Sequence, residues 1–187
     1  MKLLETARIY LRPFGPEDAG LLFELDSDPE VMRFISKGEP TPLELIEHDI
    51  LPRVLAYYRP WPPQGFWAAH LRATDQFIGW FHLRSDKIEP EEMELGYRLK
   101  RFVWGQGLAT ECTRTLVERS FGEWGYDKLS ARTLAVNLAS RRVMEKAGLL
   151  FEREFLWSLE VLPGWSEEER RGVKYGLARE QFKRTAD

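Results

Sequence analysis

Two glycines one residue apart stand in the segment Gly105-Gln106-Gly107-Leu108-Ala109-Thr110, between a strand-like run and a strongly patterned helix. Glycine permits positive φ and lets other atoms approach the backbone closely. Where a helix starts, unpaired N–H groups converge and the aligned peptide dipoles add roughly half a positive charge. Such a turn suits a phosphate or pyrophosphate, although an ordinary tight turn before a helix has the same composition. The P-loop pattern Gly-x-x-x-x-Gly-Lys-Ser/Thr is absent. A dinucleotide fingerprint needs a third Gly or Ala where Thr110 stands, and an acid closing the next strand, which instead ends in Arg132-Thr133. The pyrophosphate of coenzyme A is the third phosphate ligand that such a turn accepts.

Other reactive side chains are sparse. Cys112 is the one cysteine of 187 residues, so an intrachain disulfide and a cysteine-rich zinc site are excluded. It falls on the inner face of a helix and reads as a core thiol. His48, His70 and His82 lack the spacing of a metal motif, and no metal is expected. Glu167-Glu168-Glu169 reads as a solvated loop, with attraction of a basic peptide as the alternative. Trp61, Phe66, Trp67, Trp80 and Tyr97 read mainly as core, with some available to line a pocket for a ring-bearing amine. A net charge of −3 gives no electrostatic pull toward nucleic acid and suits a cationic small molecule. No apolar run is long enough to span a membrane, and the first residues lack the apolar core of a signal peptide. A reduced, cytoplasmic setting is expected.

These residues need elements to hold them. Arg8 to Pro13 alternates as a strand, and Gly15-Pro16-Glu17-Asp18 opens a helix with acids in its first turn and Leu22 and Leu25 inward. Thr41-Pro42-Leu43-Glu44 reads as a capping box with Pro at the first helical position, and Pro52 should kink or end that helix. A stiff Pro60–Pro63 loop follows. Phe66–Leu71, Phe77–Leu83 and Met93–Leu99 form an antiparallel meander. The helix after Gly107 places Ala109, Cys112, Leu116, Phe121 and Trp124 inward, and Glu111, Arg114 and Glu118 outward. Lys128–Thr133 is a short strand. Asn137 caps a helix with Ser140, Val143, Met144 and Ala147 inward. Leu150–Leu159 and Val173–Leu177 are the last strands, joined through the polar Gly164–Gly172 loop. The order β-α-α-β-β-β-α-β-α-β-β predicts one α+β (mixed α/β) domain over residues 1–187.

Four segments in this order resemble the GNAT acetyltransferases, and within them the branch named for RimJ and RimL. They are Thr6-Ala-Arg8-Ile-Tyr-Leu-Arg12-Pro13, Glu94-Leu-Gly96-Tyr97, Trp104-Gly-Gln-Gly107-Leu-Ala-Thr-Glu111, and Asn137-Leu-Ala-Ser140 continuing to Gly148-Leu149. The family's Gln/Arg-x-x-Gly-x-Gly/Ala motif begins here with Trp104. The resemblance implies a single central, mostly antiparallel sheet, splayed between the fourth and fifth strands (Met93–Leu99 and Lys128–Thr133) and flanked by helices. It implies that acetyl-CoA is the co-substrate. Leu99 would pair with the pantetheine arm, and Trp104, Gly105, Gln106, Gly107, Leu108, Ala109 and Thr110 would wrap the pyrophosphate. Asn137 and Ser140 would reach the pantetheine and the sulfur.

The implied reaction moves an acetyl group to a primary amine, on a small molecule or a protein N-terminus, by direct attack. An alkylammonium titrates near 10.4, so presenting free amine at neutral pH costs about 4–5 kcal/mol, and a base helps. Glu94 is the candidate base, with a water chain as the other route. Arg98, two residues along, would pair with it and weaken it. Many family members carry a tyrosine acid where this chain has Met144, so Ser140 is the candidate acid. A non-catalytic acetyl-CoA-binding module is the competing reading. Monomer and homodimer are both compatible, and neither nucleic acid nor membrane is expected as a partner.

Overall fold

The structure is a computed structural model that describes residues 2–59 and 61–182. Eight strands follow the hydrogen-bonded order β1-β2-β3-β4-β5-β6-β8-β7, once numbered along the chain as Leu4–Glu5, Ile9–Pro13, Gly65–Leu71, Phe77–Ser85, Met93–Leu99, Lys128–Leu134, Leu150–Leu156 and Arg171–Ala178. β1 with β2, β2 with β3, β3 with β4, β6 with β8 and β7 with β8 pair antiparallel, whereas β5 and β6 form a parallel ladder registered at Met93↔Leu129 and Glu94↔Ser130. Two compact units divide the chain, Met1–Arg84 with Gly96–Cys112, and Ser85–Leu95 with Thr113–Asp187.

In the first unit, α1 (Ala19–Asp26) buries Leu22 and Leu25 as the pattern predicts. They join Phe14, Ile46, Val54 and Phe77 in one apolar cluster. The expected acidic first turn is not formed: Glu17 and Asp18 precede the helix. Asp18 instead accepts from Arg12 and from the Gly15 N–H, which bend the chain out of β2. A short α2 (Pro29–Met32) is capped by Asp28, a turn the sequence pattern did not reveal. The expected capping box at Thr41 is also absent. Pro42 occupies the cap position of α3 (Leu43–Leu45), and Thr41 Oγ1 donates to Asp26 Oδ2. Pro52 neither kinks nor ends this stretch in the expected way. A π-helical turn, Ile46–Ile50, precedes it, and Pro52 falls in the first turn of α4 (Leu51–Ala56), where the missing N–H costs little. Pro60 lies outside the described residues. In the next segment, Tyr58 accepts the Phe14 N–H and donates to the Phe66 carbonyl; burial pushes its hydroxyl up to about 12.

In the second unit, α5 (Leu108–Gly122), whose first turn belongs to the first unit, is followed by β6 and α6 (Leu138–Lys146). β6 and β8 alternate cleanly. Leu129↔Leu177 and Ala131↔Tyr175 share a buried apolar face, while Ser130↔Gly176 and Arg132↔Lys174 share the other. β7 ends at Leu156, three residues earlier than expected, and is an edge strand with Phe151 and Leu156 about half exposed.

Gly79 shows how closely strands approach in the first unit. Its φ is +135°, and an added Cβ would lie 2.1 Å from the Arg98 carbonyl oxygen. Gly79→Ala is therefore expected to destabilise the protein by about 3 kcal/mol or more in urea denaturation. A loss under about 0.5 kcal/mol would mean that β4 and β5 can move apart there.

Candidate active site

The turn into α5 is built by a few specific bonds. A short 3₁₀ turn, Arg101–Val103, ends β5. Trp104 is then extended, and its indole Nε1 donates back to the Leu99 carbonyl at 2.8 Å. Gly105 and Gly107 follow with φ of +75° and +76°, left-handed conformations that other residues adopt at a cost. Gln106 Nε2 donates to the Phe102 carbonyl at 2.8 Å, and the Gln106 carbonyl accepts from Arg8 Nη1 at 3.0 Å. The backbone from Trp104 to Gly107 is exposed, Ala109 and Thr110 are half-buried, and Leu108 anchors the helix start in the interior. An added Cβ at Gly105 would meet nothing within 4 Å. The glycines are therefore needed for conformation, and the space beside Gly105 is open, which fits a bound anion.

Glu111 stands one turn into α5. The sequence pattern put it on the solvent face, and the structure makes it half-buried. Thr6 Oγ1 donates to it at 2.6 Å, the Arg8 N–H at 2.9 Å and Arg8 Nε at 2.6 Å. Burial would raise its pKa, and these bonds outweigh that and hold it below the usual carboxylate range. Thr6 and Arg8 are thus neighbours of the third motif that sequence reasoning did not assign. The signal was present, because the first and third motifs each contain one half of this contact.

Asn137 is the cap of α6. Its Oδ1 accepts the Ser140 N–H at 3.2 Å, so two predicted site residues are joined by the cap itself. Ser140 is half-buried. The first turn of α6 is pinned by Arg141, which donates to the Ala135 carbonyl at 3.1 Å and to the Tyr175 hydroxyl at 3.2 Å. Tyr175 donates in turn to Glu145 at 2.8 Å. Met144, in the place of the absent tyrosine, is buried.

Glu94 is half-buried on β5, registered with Ser130 of β6. Arg98 pairs with Asp26 at the end of α1, and its guanidinium lies 5.2 Å from the centre of the Trp80 ring. The α1 carboxylate is buried and already held by Thr41, which makes it a well-placed partner. His82 is buried against Phe66 and Trp80, at ring-centre distances of 4.7 and 5.6 Å. An added Cβ at Gly96 would lie 2.6 Å from its ring, so Gly96 makes room for the imidazole. Burial, then the charges of Arg84 and Arg98, push His82 well below the usual histidine value. Cys112 is fully buried, and burial raises its thiol well above the ordinary range, as a core thiol requires.

A buried charge network was not legible in the sequence. Asp86, Glu89 and Glu92 of the β4–β5 loop approach within 4.8 Å of one another. Arg132 pairs with Asp86 and Glu89, and Lys174 with Glu89, Glu92 and Glu152. Both cationic side chains are only 2% exposed. Burial alone would lower Lys174, but its three carboxylate partners hold it above the ordinary lysine value. Near the Gly164–Gly172 loop, a cleft of about 570 Å³ is lined by Glu154, Phe155, Leu156, Glu167, Glu168 and Arg171.

Residues 8–150 match the Acetyltransferase (GNAT) domain family. The chain is 33% identical over 190 residues to the FsC-acetyl coenzyme A-N(2)-transacetylase of Aspergillus fumigatus, covering 97% of this chain and 78% of that protein. The fold matches the aminoglycoside acetyltransferase AAC(6')-Ib solved with coenzyme A, with a TM-score of 0.73 and 22% identity over 95% of this chain and 98% of that one. It also matches RimL, the ribosomal L7/L12 alpha-N-protein acetyltransferase, solved with coenzyme A, with a TM-score of 0.75 and 13% identity over 97% and 100%. The chain belongs to the GNAT acetyltransferase family. It is an acyltransferase, and acetyl-CoA is its co-substrate.

His82 gives this region a pH signature. It stays neutral in the fold, whereas the unfolded residue takes up a proton near 6.5. Its contribution is fully present above that value and is lost as pH falls below it. Stability is expected to fall between about pH 7 and pH 5, and His82→Asn to show a shallower fall. Parallel curves for the two proteins would exclude His82 as the source.

Proposed function

We propose that this enzyme acetylates a primary amine on a small molecule, by direct attack of the amine on the thioester of acetyl-CoA, and that residues 1–187 act as one GNAT domain. The observation that carries the reading is the Trp104–Glu111 turn, with two left-handed glycines opening a 15-residue helix. In this reading Trp104 to Thr110 hold the pyrophosphate through backbone N–H groups. The Leu99 carbonyl already accepts from Trp104, which fixes the backbone offered to the pantetheine arm. Asn137 and Ser140 are assigned to the pantetheine and the sulfur. The Asn137 oxygen is engaged in the cap, so its amide nitrogen is the part that would donate.

Glu94 takes the amine proton, directly or through water. The amine nitrogen then forms its bond to the carbonyl carbon and the C–S bond breaks; the thiolate takes a proton from Ser140, which regains one from the amide nitrogen as that nitrogen loses its extra proton, or both exchanges run through solvent. A small-molecule acceptor is supported by the name of the fungal relative, an N(2)-transacetylase, and by AAC(6')-Ib, solved with ribostamycin. The Glu154, Glu167 and Glu168 cleft adds a place where a cationic acceptor would be attracted. The RimJ/RimL-like branch, a cytoplasmic setting and a monomer or homodimer belong to the same proposal; the four ordered motifs support the branch.

Calorimetric titration tests the reading. Acetyl-CoA is expected to bind at micromolar concentration, with ATP and NAD inert, and Gly107→Asp to weaken acetyl-CoA about a hundredfold or more. Unchanged affinity in Gly107→Asp would defeat the pyrophosphate assignment.

Ser140→Ala is expected to lower kcat about tenfold while changing acetyl-CoA affinity little. An unaltered kcat would remove Ser140 from the mechanism.

A further inference from the structure

The parallel ladder between β5 and β6 places Ser130 directly beside Glu94. Paired residues on neighbouring strands present their side chains to the same face of the sheet. Ser130 is fully buried, and its hydroxyl donates to Asp86 Oδ2 at 3.1 Å. Asp86 is itself 2% exposed and held from several directions. Its Oδ1 accepts the Ile88 N–H at 2.7 Å and the Glu89 N–H at 3.2 Å, its own N–H donates to the Glu92 carbonyl at 2.9 Å, and Arg132 pairs with Oδ2. Arg132 is two residues beyond Ser130, on the same face of β6.

A buried ion pair contributes little net stability, because desolvation offsets the attraction, whereas removing one partner is costly. What such a network does supply is a fixed position for its members. The main-chain ladder here is registered at two pairs. The Asp86 network adds a side-chain bond between the loop that starts β5 and the strand beside it. Two ladder pairs leave β5 able to tilt; a carboxylate bonded to both segments does not.

We infer that Ser130 and Asp86 are positioning residues for Glu94: they hold β6 against the start of β5, so that the Glu94 carboxylate stays where an incoming ammonium must lose its proton. This rests on Glu94 being the base of the proposed acetyl transfer. Neither positioning residue exchanges a proton in the reaction.

The test uses two small amines that differ in their need for a base. Methylamine is almost wholly protonated at neutral pH, and hydroxylamine is largely unprotonated. Acetyl transfer to each is followed by release of free thiol, at saturating acetyl-CoA, in the full chain. Glu94→Gln is expected to slow transfer to methylamine and to spare hydroxylamine. Ser130→Ala, which removes one buried oxygen and leaves the Asp86–Arg132 pair, is expected to slow methylamine about tenfold and hydroxylamine less than about twofold. Asp86→Asn should show the same split if it folds, and Ser130→Ala decides the matter if it does not. A purely structural role would slow both amines alike, and that result, or no effect, would overturn the inference. Were Glu94→Gln to spare methylamine, the assignment of Glu94 itself would fall, and the positioning role with it. Absence of transfer to both amines by the unaltered enzyme would overturn both.

Discussion

The turn from β5 into α5 depends on a carboxylate in an awkward place. Glu111 lies in the first turn of the helix, where the helix end is positive and an incoming pyrophosphate would also sit. Unpaired, that negative charge would compete with the ligand. Arg8 and Thr6 take it up, and the same arginine reaches across to the Gln106 carbonyl. One side chain thereby neutralises the helix start and fixes the carbonyl between the two glycines. The N-terminal strand, the glycine turn and the helix become a single mechanical object. The proposed anion site rests on that arrangement more than on the glycines alone, which supply only the permitted angles.

Most of the order of elements was legible because it rests on local rules. Alternating apolar residues in β3, β4, β5 and β8, and the inward stripe of α5, depend only on period and burial. The Asn137 cap was legible for the same reason, since its partner is three residues away. The failures share a cause. Asp18 and Thr41 carry residue types that cap helices, and the side chain of each instead answers to a partner distant in sequence or to a bend in the chain. Arg98 likewise pairs with Asp26 of α1, a partner 72 residues away. Pro52 was read as a breaker because a π-helical turn, which realigns the chain before it, leaves no simple mark in the sequence.

The candidate site divides along the same line. Trp104 to Thr110, Asn137 and Ser140 were readable as motifs; the structure sets Gly105 and Gly107 at positive φ and makes Asn137 the cap of α6. The network around Asp86 was not readable. Its acids are spread through the loop between β4 and β5, and its bases, Arg132 and Lys174, sit on strands where alternation alone would point them at water. Only the pairing of β6 with β8 brings them opposite one another. Buried charge of this kind needs tertiary register to be seen.

The edge strand β7 presents Phe151 and Leu156 to solvent on an unpaired margin of the sheet. Between them run Glu152, Arg153 and Glu154. Charges in the middle of an exposed edge disfavour the approach of another chain's backbone, since pairing there would strip water from them. An irregularity in the ladder between Phe151 and Arg153 bends the same margin. The apolar ends of this strand therefore coexist with a charged centre that acts as a gatekeeper against aggregation.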